Sequence, residues 1–297
     1  MGALKVLIQR NLRLFFRDKA AVFFSFLAVI IIIALYVLFL ADIQVQNIKA
    51  AFPEGASIRD KDIAWLVNSW VMAGIISINT VTITLGSYGT IINDIENGTG
   101  KDFLSSPVKR YVVVLGYIIS SWVLAIVLSI ITLVIFEIYV VLSGGMILAI
   151  NDFIKTLLVI ILSVISFSAV LFYIITFIKS THTFGVLSGL LGTMIGFLAG
   201  IYIPLVALPN YMKTVVSIFP VSYSASLLRR IVTREPLEKV FGYLGHAPAN
   251  GYSRDWGIIL YLGKQEITPT IMVCGLILFG IIFYVLSILR LSKHKLS

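Results

Sequence analysis

Charge is scarce in this chain. Asp, Glu, Lys and Arg make up 12% of its 297 residues, about half the roughly 25% of a soluble domain. By contrast 59% are hydrophobic, and the mean hydropathy is +1.02. So apolar a chain cannot hide its surface in one aqueous core, and the class is an integral membrane protein. Cysteine is nearly absent as well. The single Cys274 lies in an apolar run, so no intrachain disulfide can form and the redox compartment stays unread. His182, His246 and His294 are scattered without metal-ligand spacing, and no metal site is expected. Paired intramembrane carboxylates are missing, which argues against an ion-coupled secondary transporter. No His or acidic pair suits an intramembrane enzyme such as an acyltransferase. Gly98-Thr99-Gly100-Lys101 imitates part of a phosphate-binding loop, but that motif needs Gly at 95 and Ser or Thr at 102, where Ile95 and Asp102 stand. The chain is therefore not expected to bind ATP in that way. The formal charge of +9 carries no nucleic-acid motif with it. Its basic residues stand beside apolar segments, so a bilayer surface is the better partner.

What is abundant is long apolar segments. Residues 20–41, 63–92, 111–142, 153–178, 184–206 and 267–289 each reach the length of about 20 residues that spans a bilayer. Six transmembrane helices are predicted, with Trp65 and Trp70 as interface anchors of the second. Ahead of them, residues 1–19 do not read as a signal peptide, since their apolar residues do not run together. Leu4, Leu7, Ile8, Leu12 and Phe15 recur with helical period, while Lys5, Gln9, Arg10, Arg13 and Arg17 fall on the other side. That pattern predicts an amphipathic helix lying in the headgroup plane. Twelve Lys and Arg residues fall in the leader, the connection 93–110, the connection at Lys179 and the tail, against four in 42–62 and at Lys155. The long segment 207–266 counts little in this rule. Both termini and the 93–110 connection are accordingly expected in the cytoplasm of a multi-pass plasma-membrane protein.

The connection 93–110, NDIENGTGKDFLSSPVKR, is unusual for a simple linker. Its Glu96, Gly98, Thr99, Phe103, Leu104, Pro107, Val108 and Arg110 resemble the E-x-G-T…L-L-x-x-P-V-x-R cytoplasmic loop of the type-2 ABC exporter permeases. Gly100 and Lys101 depart from that pattern, standing where a Leu and an acidic residue are usual, with Asp102 one place late. A second stretch carries Gly200, Pro204, Leu208, Pro209, Pro220, Tyr223 and Arg229. It resembles the family's fifth-span ending and the re-entrant hairpin that follows it. The leader is also similar to the family's interfacial helix, whereas residues 243–267 match nothing in it and look like an external insertion.

The resemblance implies an all-α membrane protein with one transmembrane permease domain over 1–297. It would comprise an interfacial helix, six spans, and an extracellular re-entrant hairpin with its insertion at 207–266. It implies a coupling loop formed by Asp94, Glu96, Gly98, Thr99, Asp102, Phe103, Leu104, Pro107 and Arg110, docked on a separate ATPase subunit. ATP and Mg would be bound by that partner, and no cofactor by this chain. A second permease copy, identical or a paralogue, is implied too. Pro204, Pro209, Pro220 and Tyr223 would form the outer gate. Gly192, Gly196 and Gly200 let helices approach closely, either within the chain or at a subunit seam. Glu137, an acidic residue inside a predicted span, is a functional candidate by default. It stands near the outer end of its span and could equally reach the headgroups. Cargo is expected to be amphipathic: a drug, a peptide or toxin, or a lipid-like molecule. A lipid-linked polysaccharide is the alternative.

Overall fold

The computed structural model describes residues 2–19, 59–99, 107–200, 205–242 and 246–293, with isolated positions between 22 and 52. The predicted first span at 20–41, apart from positions 22, 23 and 34, the loop residues Asp102, Phe103 and Leu104, and Pro204 lie outside the described residues.

Apolar segments that face lipid must satisfy every backbone N–H and C=O internally, and a helix does so within one segment. The leader forms α1, Gly2–Arg17. The second predicted span becomes α2, Asp60–Ser87, which continues as a short α3, Gly89–Glu96. Then come α4, Arg110–Leu142, α5, Ile150–Ile175, and α6, Thr181–Leu198. A 3₁₀ turn at Leu205–Ala207 leads into α7, Asn210–Ile218, and α8, Pro220–Val232. The short α9, Arg234–Phe241, and α10, His246–Asp255, precede a small hairpin, and α11, Pro269–Lys293, closes the described chain. Among the described residues five helical stretches are long and apolar enough to cross a membrane, or six if the bent pair α7–α8 counts as one.

The bundle is organised on α2. Twenty-two of its 28 residues are buried, as befits a helix that is apolar on every side. Around it pack α4, α5 and α8, while α11 rests on α5 and α1 on α4. Several polar residues of α2 are paired inside the bundle. Asn79 donates to Thr132 at 3.0 Å, and Ser87 to Ser121 at 2.5 Å. Thr80 and Thr84 donate to carbonyls one turn back, at Ser77 and Thr80, at 2.6 Å. At the opposite extreme stands α6, of which only Ile195 and Gly196 are buried.

Three sequence expectations need correction. Trp65 and Trp70 do not present their rings on the surface of the bundle, as interface anchors would. They are 6% and 1% exposed, because the turn after α4 covers the first and the segment around Trp256 the second. The fifth helix stops at Leu198 rather than reaching 206, and Gly200 lies beyond its end with φ +65°. Residues 93–96 of the polar connection are the last turn of α3, not loop. The class is all-α as expected, with one small addition. Tyr261–Leu262 and Gln265–Glu266 pair as two short antiparallel strands, Tyr261 opposite Glu266.

Candidate functional site: the loop platform and the bent helical pair

Two polar constructions stand at opposite ends of the bundle. The first surrounds the start of the 93–110 connection. The apolar stripe of α1 turns inward as its period dictates, with Leu7 and Phe15 buried and Leu4, Ile8 and Leu12 half-buried. It packs on α4 where Gly116 leaves room: a Cβ there would lie 3.0 Å from that of Leu7. This close approach brings the α1 side chains within reach of α3. Arg10 donates two bonds of 2.7 Å to the two carboxylate oxygens of Asp94, the bidentate geometry that makes such pairs strong. Asp94 also accepts from the Tyr117 hydroxyl of α4 at 2.5 Å. Beside them Asn11, 3% exposed, accepts from Arg10 at 3.1 Å and donates to Ser120 at 3.2 Å. The bond to Asp94 raises the Arg10 pKa above its ordinary value, despite partial desolvation. The guanidinium therefore stays charged throughout the physiological range.

Two residues further on, Glu96 reaches a fourth element. Its carboxylate accepts from the Thr181 N–H at 3.0 Å, the first residue of α6. There it joins Ser180, whose hydroxyl accepts from the Thr183 N–H at 3.2 Å. An anion at a helix N-terminus satisfies a free amide and opposes the positive end of the helix dipole. Within one turn, α3 thus fastens α1, α4 and α6 to the start of the connection. Gly98, φ +76°, then turns the chain. Thr99 follows, and Pro107 stands exposed where the chain re-emerges before Arg110 opens α4. The structure therefore gathers Asp94, buried, and Glu96, exposed to solvent, as helix-borne anchors at the start of the connection rather than as loop residues. Sequence reasoning placed Arg10 on the headgroup face and passed over Asn11, Tyr117 and Thr181. A polar residue on a buried stripe, Asn11 between Leu7 and Phe15, was the available signal.

The second construction lies at the other end. α7 and α8 meet at 86°, hinged between Phe219 and Pro220, with Pro at the helix start, where its missing N–H costs nothing. Pro209 occupies the corresponding N-cap of α7. The serines that make this stretch polar are each spent on a neighbour. Ser222 donates to the Leu198 carbonyl and Ser226 to that of Ile258, both at 2.7 Å, and Ser224 accepts from Ser163 at 2.8 Å. Tyr223 lies half-buried against α11, where a Cβ at Gly275 would come within 3.0 Å of its ring.

Arg229 is 1% exposed. It donates to the carbonyls of Ala199 and Gly200, at 3.0 and 3.1 Å, and lies 4.4 Å over the Trp70 ring. The carbonyls at the end of α6 thus gain the cation that helix termini favour. Trp70 in turn donates to the Trp256 carbonyl at 2.7 Å. Trp256 stacks on Tyr252, and Tyr252 packs on Phe241. Gly257 completes the contact: at φ +64° it has Leu205 where a Cβ would fall, 2.5 Å away. The segment that reads from sequence as an external insertion is therefore wedged into the bundle. Nearby, buried Asp152 pairs with Arg234 at 2.7 Å and Lys155 at 3.2 Å, tying α9 to α5.

The remaining candidates separate. Glu137 accepts from the Leu148 N–H at 2.9 Å, within the turn that joins α4 to α5. Gly192 has nothing within 4 Å of an added Cβ, as do Gly185 and Gly189, whereas Gly196 is buried inside the chain. The glycine series is thus divided between an open face and an intrachain contact.

A bundle of apolar helices with an amphipathic helix fastened to a polar connection at one end, and a bent helical pair packed at the other, defines a membrane-embedded protein. The chain belongs to the ABC-2 type transporter family, whose model matches residues 2–233. The match runs from α1 through α8 and leaves α9, α10, the strand pair and α11 beyond it. In this family the membrane subunit carries transport and normally pairs with an ABC ATPase. No curated protein matches the chain.

Proposed function

We propose that this chain is the permease of an ATP-driven exporter. It works as a dimer with a separate ATPase subunit that binds ATP and Mg, and it moves an amphipathic cargo out of the cell. Both termini and the 93–110 loop are cytoplasmic, the loop contacts the ATPase, and the α7–α8 pair is a re-entrant hairpin that closes the outer side. The observation that carries this reading is the platform at the start of the loop. Asp94 and Glu96 join the loop to α1, α4 and α6, so force applied to the loop reaches three elements at once. Such rigid-body transmission is how packed helices respond to a partner's closure. The open glycine face of α6 supports a second copy there, since small residues let helices approach closely in lipid.

The cargo preference rests on the apolar side chains that α6 leaves exposed, among them Val186, Leu190 and Met194. α2, enclosed on nearly all sides, can lend a path little surface. Phe103 and Leu104 are the proposed anchors on the ATPase. Burying two such side chains is worth on the order of 3–6 kcal/mol gross. Phe103→Ser with Leu104→Ser should abolish co-purification with the partner ATPase, or uncouple its hydrolysis, while membrane insertion stays normal. Full export by the double variant would remove the docking role.

A further inference from the structure

A second, unassigned concavity opens on the lipid side of the bundle. α4 rests on α2 and α11 on α5, so the ends of α4 and α11 nearest the 93–110 connection diverge and leave a groove of about 660 Å³ between them. Val114, Ile118 and Trp122 form one wall, Ile288 and Leu291 the other, and Phe172 of α5 the floor. The groove is closed at its deep end by a polar lock. Trp122 donates to the Ser168 hydroxyl at 2.8 Å and Tyr284 to the same hydroxyl at 3.2 Å, and the two rings meet edge to face. At its shallow end stands Arg110, the first residue of α4. One terminal nitrogen of its guanidinium, Nη2, is buried there without a hydrogen-bond partner. Leaving a charged donor unpaired is costly, so this site calls for an anion.

We infer that this groove binds one anionic phospholipid, with its phosphate on Arg110 and an acyl chain along α4 as far as Trp122. The dimensions agree. Arg110 and Trp122 are twelve residues apart on one helix, about 18 Å at helical rise. That is close to the depth of one leaflet, about half of a 30 Å core. The occupant must come from the bilayer, because the rim of the groove is itself lipid-facing: Leu115 is 40% and Ile288 66% exposed. A soluble phosphate would gain nothing from the apolar walls, and a neutral lipid would leave Arg110 unmatched. The leaflet is the one beside the 93–110 loop; only its naming as cytoplasmic rests on the orientation proposed above. Arg110 ends that loop, so the headgroup sits where the loop rejoins the membrane.

Trp122 supplies a reporter. The chain has four tryptophans, and Trp65, Trp70 and Trp256 are buried or partly buried at the opposite end. The full-length protein is reconstituted in phosphatidylcholine vesicles containing a small fraction of phosphatidylglycerol brominated in mid-chain. Its tryptophan quenching is compared with that from the same fraction of brominated phosphatidylcholine. Excess quenching by the anionic lipid is expected, reflecting an enrichment of about fivefold for one such contact. Arg110→Gln should abolish the excess, Arg110→Lys should keep it, and Leu115→Phe should reduce quenching by both lipids. Equal quenching by the two lipids in the wild type, or an excess that survives in Arg110→Gln, would overturn the proposal. Dibutyryl phosphatidylglycerol, added as a short-chain competitor, should not displace the bound lipid. Displacement would mean that the headgroup alone is recognised and that the groove is not an acyl site.

Discussion

Breaking the Arg10–Asp94 pair should destabilise the contact between α1 and α3 in a manner that a double-variant cycle can isolate. The two side chains are 30% and 10% exposed, so the pair is neither a surface ion pair nor a fully buried one. Hydrogen bonds to charged groups contribute about 1.5–3 kcal/mol each way of counting, and breaking a fully buried pair costs about 3–5 kcal/mol. Solvent access at Arg10 reduces this. Arg10→Ala should therefore cost about 2–3 kcal/mol, because it leaves the Asp94 carboxylate with the Tyr117 hydroxyl as its remaining side-chain partner among the bonds described above. Asp94→Asn keeps the shape and the Tyr117 bond but loses the charge, and should cost about 2 kcal/mol by the same scale. With the pair already broken, the second change matters less, so the double variant should fall short of the sum by about 1.5–2 kcal/mol. Unfolding in mixed micelles of increasing sodium dodecyl sulfate fraction, followed by far-UV circular dichroism, supplies the four stabilities. Costs that add to within about 0.5 kcal/mol would show that the two residues are not coupled, and the platform would lose its central link. In complexes that retain the ATPase, the same variants should lower export more than they lower ATP hydrolysis.

The two classes of glycine should separate in variants. Gly192→Leu, on the open face, should reduce crosslinked dimer while leaving subunit stability unchanged, whereas Gly196→Leu should destabilise the subunit itself; the reverse pattern in crosslinking and melting would contradict the assignment of faces. Trp70→Leu removes a bond to Trp256 and the ring beneath Arg229, and should cost about 3–5 kcal/mol with increased proteolysis in 246–268; unchanged protease resistance would refute the wedge. In a Cys274→Ser background, Lys264→Cys should react with an impermeant thiol reagent from outside and Lys109→Cys only after permeabilisation, both positions being exposed; labelling from one side would overturn the proposed orientation.

The helices were legible because lipid solvent leaves an apolar segment little choice of structure. The stripe of α1 was legible for a similar reason: Leu7 and Phe15 are buried as their period requires. What the period does not encode is the partner. Arg10 and Asp94 are 84 residues apart, and their pairing depends on how closely α1 approaches α4 at Gly116. The charge of Arg10 alone pointed to headgroups. Trp65 and Trp70 were misread because an amphipathic ring near a span end suits an interface, while burial under Trp256 depends on a segment far along the chain. The serines of α8 make it polar for a helix packed in an apolar bundle, and nothing local shows what they bond. Their carbonyl and hydroxyl acceptors, Leu198, Ile258 and Ser163, come from three other parts of the chain. Glu96 was read as a loop residue, since nothing local reveals that it meets the N-terminus of α6.

The attachment of Arg229 has a consequence for how the α7–α8 pair would open under the outer-gate role proposed above. Its described hydrogen-bond acceptors are backbone carbonyls, and its other neighbour is an indole face. None of these can take up a proton near neutrality. Acidifying the medium on that side leaves this fastening intact, and so does a change in membrane voltage too small to drag a buried cation. What can release it is a change of shape in its acceptors. The carbonyls of Ala199 and Gly200 point where they do because α6 ends there, with Gly200 in the left-handed region. One more turn of helix would redirect both. The fastening of α8 is thus answerable to the winding of α6, whose far end meets Glu96, so the two ends of the bundle are joined along 18 residues of backbone without any chemical messenger between.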